Sequence, residues 1–153
     1  LEGRPPVTFD VRSPAEFERG HIPGAVSLPL LDNADHAEVG TLYRHAGREQ
    51  AFDLALGRVY PKLADLLQQV ESRCAAAAAA SEPAPVPLRH ILVYCKRGGM
   101  RSQSVATFLA GHGYKAYTLE GGYKAFRHWA MEVLERPQKV CVVAGATGSG
   151  KTH

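Results

Sequence analysis

Four consecutive apolar residues, Ile91-Leu92-Val93-Tyr94, run directly into Cys95 and a short glycine-containing loop. From Ser102 to Gly111 the chain then carries Val105, Phe108 and Leu109 at helical spacing. An unbroken apolar run of this length, closed by a turn and followed by a helix, is the pattern of a strand covered on both faces. The same order recurs elsewhere. Val7-Thr8-Phe9-Asp10-Val11 is a β-rich run, and Ser13-Pro14-Ala15-Glu16 opens a short helix ended by Gly20. Ser13 suits the N-cap, Pro14 the first helical position, and Glu16 completes a capping box. Ala25-Val26-Ser27-Leu28 reads as a second strand closed by Pro29; Tyr114 to Leu119 reads as another, followed by a Gly121-Gly122 turn and a helix from Tyr123 to about Leu134. This alternation predicts an α/β domain of three layers with a central parallel sheet.

Between the second strand and Ile91 the pattern is helical. A helix is expected from Ala34 to about Gly47, with Val39, Leu42 and Tyr43 on one stripe. A further helical stretch, Glu49 to Arg73, should break or kink at Pro61, and Leu63, Leu66, Leu67 and Val70 within it should face the core. Residues 75–87, six alanines and then a Pro-rich run, read as a frayed helix end plus an extended linker insert. Arg136-Pro137-Gln138 marks a boundary. Residues 1–136 form the main domain, and 137–153 carry a linker, a strand at Val140–Ala144 and the start of a second domain.

At 153 residues, 45% hydrophobic and 22% charged, the chain is the size and composition of one globular domain. Its apolar runs are too short to cross a membrane. It opens without an apolar leader and without Met, so a processed chain or a fragment is expected. The net charge of +3 suits an anionic partner without requiring one, and a DNA partner is not expected. Cys74, Cys95 and Cys141 have neither paired nor metal-ligand spacing, which points to a reducing, cytoplasmic setting with at most one reactive thiol and no metal site. Cys141 sits within an apolar strand, and Cys74 lacks any basic or Gly-rich surroundings; both read as inert.

Cys95 differs. In Cys95-Lys96-Arg97-Gly98-Gly99-Met100-Arg101-Ser102 a strand delivers the thiol to a sheet edge and a helix begins just beyond. Loop amides and the helix N-terminus favour an anion there, and Lys96, Arg97 and Arg101 add positive charge. These influences should lower the Cys95 pKa and expose the thiolate, the nucleophilic form. Gly98 and Gly99 let the backbone turn and bring amides close to a bound group. Residues 96–102 are therefore the expected anion cradle, its amides and the Arg97 and Arg101 guanidiniums holding the donor. Ser102 is expected to cap the helix and to hydrogen-bond the sulfur.

Three ordered motifs carry a resemblance. Asp10-Val11-Arg12, Glu16-Phe17 and Gly20-His21-Ile22-Pro23-Gly24-Ala25 come first, then the Cys95 loop, then Glu120-Gly121-Gly122-Tyr123-Lys124-Ala125-Phe126. Together they resemble the rhodanese family. That resemblance implies sulfur-group transfer, in which Cys95 attacks a sulfane donor, holds a persulfide and passes on the outer sulfur, with no cofactor needed by this domain. It also implies an architectural role for Asp10 and Arg12, and His21 reads as a satisfied loop residue. Five residues separate Cys95 from Arg101, the spacing of cysteine phosphatases, so a phosphatase of the same fold is a rival. Against it, Tyr94 stands where those enzymes commonly carry His, and the loop holds no carboxylate to protonate a leaving group. A generic thiosulfate sulfurtransferase is the other alternative.

Downstream, Gly145-Ala146-Thr147-Gly148-Ser149-Gly150-Lys151-Thr152 fits a P-loop. Its Gly145, Gly148 and Gly150 amides would wrap phosphates, with Lys151 bridging them and Thr152 on Mg²⁺, in a longer parent protein. The order of the Cys95 loop, the Glu120–Phe126 motif and this P-loop, with the Asp35–Tyr43 helix region, is similar to the tRNA 2-selenouridine synthase family. What that implies is replacement of sulfur by selenium at the wobble 2-thiouridine of tRNA, with selenophosphate as donor and geranyl diphosphate as a further co-substrate. Recognition of tRNA is then expected to need the full-length protein, because basic residues here are scattered and the aromatics form no stacking platform.

Overall fold

The computed structural model describes residues 6–80 and 90–137. Four parallel strands make one sheet in the order β2-β1-β3-β4: β1 Val7–Asp10, β2 Val26–Ser27, β3 His90–Tyr94 and β4 Lys115–Thr118. β1 pairs with β2 through Phe9 and Val26, and with β3 from Val7 opposite Ile91 to Asp10 opposite Tyr94. β3 pairs with β4 from His90 opposite Lys115 to Val93 opposite Thr118. The expected parallel α/β sheet is present, with β2 and β4 shorter than their apolar runs suggest.

Helix α1 (Pro14–Glu18) lies between β1 and β2. The long crossover to β3 holds α2 (Asn33–Ala46), α3 (Arg48–Val59), a 3₁₀ turn at Tyr60–Lys62 and α4 (Leu63–Ala79). Pro61 ends the helix as expected, since its ring cannot donate to the helical ladder. The side chain of Asp32 caps α2 by accepting from the Asp35 amide at 2.8 Å. Helices α5 (Met100–Gly111) and α6 (Gly122–Glu135) follow β3 and β4.

Phe9, Val11, Ile91 and Val93 are fully or almost fully buried, and Leu66, Val70 and Cys74 of α4 and Val105 and Leu109 of α5 join them in one core. The alanine run corrects the sequence reading. It is the regular end of α4 as far as Ala79, with Ala78 buried. Leu66, Val70, Cys74 and Ala78 continue one stripe at four-residue spacing, and alanine is the best helix former. The remainder of the expected linker, 81–87, lies outside the described residues. So do Cys141, the expected strand at 140–144 and the whole P-loop, including Gly145, Gly148, Gly150, Lys151 and Thr152.

The topology places a site. After β1 the chain turns to β2 on one side, then crosses back to β3 on the other, so the strand order switches between β1 and β3. Ligand sites in open parallel sheets gather outside the carboxyl ends of strands at such a switch. Cys95 is the residue that leaves β3 there.

Candidate active site

Cys95 is 3% exposed, at the foot of a loop that curls over its sulfur. The Ser102 hydroxyl lies 3.3 Å from Sγ, and the amides of Ser102, Arg97 and Gly99 also reach it. Burial alone pushes the thiol pKa up, but the hydrogen bonds from Ser102, Arg97 and Gly99 outweigh it and leave Cys95 below the ordinary thiol value. The leading stabilisation of the thiolate thus comes from the backbone and Ser102, rather than from the Lys96, Arg97 and Arg101 side chains.

Helix α5 starts earlier than its sequence suggests. Gly99 is the N-cap, so Ser102 lies inside the first turn and does not cap the helix. From there its hydroxyl touches both Sγ and the Gly99 carbonyl, the latter at 3.0 Å, and its amide points out of the helix end toward the sulfur. The loop needs Gly98 at φ +70°, where a Cβ would lie 2.5 Å from the Leu119 carbonyl oxygen.

The Glu120–Phe126 motif does more than turn the chain. Tyr123 N–H donates to the Cys95 carbonyl at 2.9 Å and Lys124 N–H to the Lys96 carbonyl at 3.0 Å. The first amides of α6 therefore hold the loop carbonyls outward, which leaves the loop N–H groups free to face Sγ. Gly122, at φ +58°, packs so closely beneath the loop that a Cβ would collide with the Cys95 carbonyl oxygen.

Asp10 and Arg12 form the frame beside the site. Arg12 Nε donates to Asp10 Oδ1 at 2.9 Å and Nη2 to Oδ2 at 2.6 Å, with a further bond from Nη2 to the Gly20 carbonyl at 2.7 Å. The guanidinium lies 4.0 Å from the centre of the Tyr123 ring, so this buried pair also braces α6. Tyr94 is fully buried, accepts from the Ile22 amide at 3.1 Å, and is held protonated chiefly by burial. His21 stacks on Phe17 and bonds its carbonyl oxygen at 3.0 Å, as a satisfied loop residue should.

The remaining loop residues part ways. The side chains of Lys96 and Arg97 are exposed, whereas Arg101 is turned onto Glu16, Nη1 to Oε2 at 3.0 Å. Glu16 also accepts from the Ser13 amide at 3.3 Å, and His36 Nε2 lies 3.6 Å from the same oxygen. Sequence reasoning placed no carboxylate at this loop, because Glu16 and Arg101 are separated by 85 residues and nothing local joins them. Burial raises the Glu16 pKa, but Arg101, the Ser13 amide and His36 outweigh it and keep the carboxylate ionised. Met100 receives Arg48 Nη2 on its sulfur at 3.2 Å. Met100 and Arg101 also border a cleft of 580 Å³ between the α2–α3 hairpin and α5, lined by Leu31, Val39, Phe52, Leu56 and Phe108.

A buried thiol of lowered pKa at a strand end, ringed by N–H donors, can attack a soft electrophile as its thiolate and hold the transferred group within those donors. Comparison with known proteins gives that arrangement a lineage. The Rhodanese-like domain family matches residues 1–128. The tRNA 2-selenouridine synthase of Cronobacter sakazakii is 39% identical over 95% of this chain and 36% of its own length. That of Bdellovibrio bacteriovorus is 37% identical, with the same coverages. The chain thus spans little more than a third of the curated relatives it matches. Among solved structures, the N-terminal domain of a protein described as ATP/GTP binding, from Clostridium difficile 630, superposes with a TM-score of 0.69 at 38% identity, covering 82% of this chain and 88% of that one. Fold, loop and the three motifs all fall within the matched region, and the chain belongs to the rhodanese-like domain family.

Proposed function

We propose that this chain is the chalcogen-handling domain of a tRNA 2-selenouridine synthase, a cytoplasmic transferase that replaces sulfur with selenium at the wobble 2-thiouridine of tRNA. The observation that carries the chemistry is the set of N–H and hydroxyl donors around Cys95 Sγ. With thiosulfate, the Cys95 thiolate attacks the outer sulfur, the S–S bond breaks, sulfite leaves, and a persulfide remains in the cradle. Amides of residues 96–102 would hold the departing anion, with Lys96, Arg97 and Arg101 at its rim. Selenophosphate, a tetrahedral anion, suits the long Cys95–Arg101 loop. The apolar cleft beside Met100 and Arg101 is of a size and character to accept the geranyl chain of geranyl diphosphate. Binding of tRNA is assigned to the full-length protein.

The selenium-specific reading is supported by the 36–39% identity to three tRNA 2-selenouridine synthases. The phosphatase alternative has the five-residue spacing in its favour. Against it, Glu16 is held ionised by Arg101 and Tyr94 is held in the interior, so neither is placed to protonate a leaving group. Intact mass after incubation with thiosulfate, with thiosulfate plus selenophosphate, and with an aryl phosphate discriminates among these readings. A reducible sulfur adduct from thiosulfate that Cys95→Ala lacks is the expected result, with selenophosphate competing with thiosulfate for the cradle and slowing that loading. Hydrolysis of the aryl phosphate through Cys95, with no adduct from thiosulfate, would overturn it.

A further inference from the structure

Glu16 Oε2 is the meeting point of α1, α2 and α5. It accepts the Ser13 amide and Arg101 Nη1, and it faces His36 Nε2. Arg101 is the second residue of α5, next to Ser102, whose amide and hydroxyl face Cys95. The direction of its guanidinium therefore decides whether an anion entering the loop meets a fixed cation or a solvated, mobile one. A long side chain free in water gives little directional help; one held by a carboxylate in a half-buried site is already oriented.

We propose that Glu16 is a positioning residue that fixes the Arg101 guanidinium beside the Cys95 cradle, with His36 as a proton-dependent second cation at the same carboxylate oxygen. This inference rests on reading the loop as an anion cradle. The groups facing His36 are Glu16 from α1, Arg101 from α5 and Lys96 from the loop, and Arg48 of α3 lines the same cleft. Burial first, then Arg101 and Lys96, hold the imidazole below its ordinary pKa against the pull of Glu16. At neutral pH His36 is uncharged, and Arg101 is the cation that Glu16 pairs with. As the pH falls His36 gains a proton, positive charge at the cradle mouth rises, and Glu16 becomes shared.

Alkylation of Cys95 by iodoacetate and by iodoacetamide tests this without relying on sulfur transfer. Both reagents need the thiolate, so their rate ratio cancels its population and reports only how the site receives a negative charge. The full chain is used, and the Cys95 peptide is read by mass. Arg101→Ala should lower the iodoacetate-to-iodoacetamide ratio about threefold, the scale of one half-exposed charge. Glu16→Gln should lower it similarly when Arg101 is present and add nothing to Arg101→Ala, while Glu16→Asp should fall between. The ratio should rise as the pH drops from about 8 to about 5.5 and stay flat in His36→Gln. A rise of equal size for Glu16→Gln in both backgrounds would make Glu16 a plain negative charge and overturn the positioning role. An unchanged ratio in Arg101→Ala, or a pH response that survives in His36→Gln, would overturn it as well. Failure of the sulfur-transfer reading would show separately, as absence of a thiosulfate adduct.

Discussion

Cys74 and Cys95 are both free thiols, and both are almost fully buried, at 5% and 3% exposure. Yet they differ in the direction their acidity moves. Cys74 lies on the core stripe of α4, and burial pushes its thiol up with nothing to oppose it. Cys95 leaves a strand at a topological switch point, where burial is opposed and outweighed by the Ser102 hydroxyl and the amides of Ser102, Arg97 and Gly99. Burial alone makes a thiol inert; burial inside a ring of donors makes it a nucleophile. The contrast lies in the backbone, because a helix interior has already spent its N–H groups on its own ladder, whereas a loop entering a helix N-terminus has not.

The largest break in this comparison is Cys95→Ala, which should abolish the persulfide adduct from thiosulfate, while Cys74→Ala should leave it intact; intact mass of each variant decides. Gly122→Ala comes next. A side chain there strains a left-handed residue and pushes on the Cys95 carbonyl, so it should lower the rate of adduct formation about tenfold or more with Cys95 still present. Stopped-flow loading rates are the check. Ser102→Ala removes the hydroxyl's hydrogen bond to the thiolate and should slow Cys95 alkylation at neutral pH about three- to tenfold. That loss should shrink toward alkaline pH, where the thiol ionises without help.

The smallest effect sharpens the other side. Cys74→Ala should cost roughly 1 kcal/mol of stability through lost core volume, seen as a lower Tm. The folded-state pKa of Cys74 is raised, so its contribution is complete below the ordinary thiol pKa and is lost as the pH rises through the folded value. The Tm gap between the unchanged chain and Cys74→Ala should therefore narrow above about pH 8.5. A gap that widens there would mean that Cys74 is stabilised as a thiolate and that the contrast with Cys95 is wrong.

Much of the fold was legible because it is written locally. The Ile91–Tyr94 run, the break at Pro61 and the pairing of a Cys with Gly98 and Gly99 each act within a few residues, and the sheet and the cradle follow from them. What could not be read is non-local or degenerate. The link between Glu16 and Arg101 spans the fold and leaves no spacing signal. Gly121-Gly122 reads as a turn in any sequence; its role as a floor beneath Cys95 appears only when β3 and β4 are side by side. The start of α5 was misplaced because Ser102 is the better capping residue type, while the loop closure onto α6 sets Gly99 in that position. Composition also misled at the alanines, although the four-residue stripe from Leu66 to Ala78 was there to be followed.

Loop amides and Ser102 hold the Cys95 thiol below its ordinary pKa. The direct measurement of that shift is the pH dependence of alkylation by iodoacetamide, read separately for the Cys95 and Cys74 peptides in the same sample. The structure predicts a Cys95 half-point below the usual thiol value of about 8.5, with Cys74 unreactive until the pH is higher. A Cys95 half-point at or above that value, or the two cysteines titrating together, would contradict it.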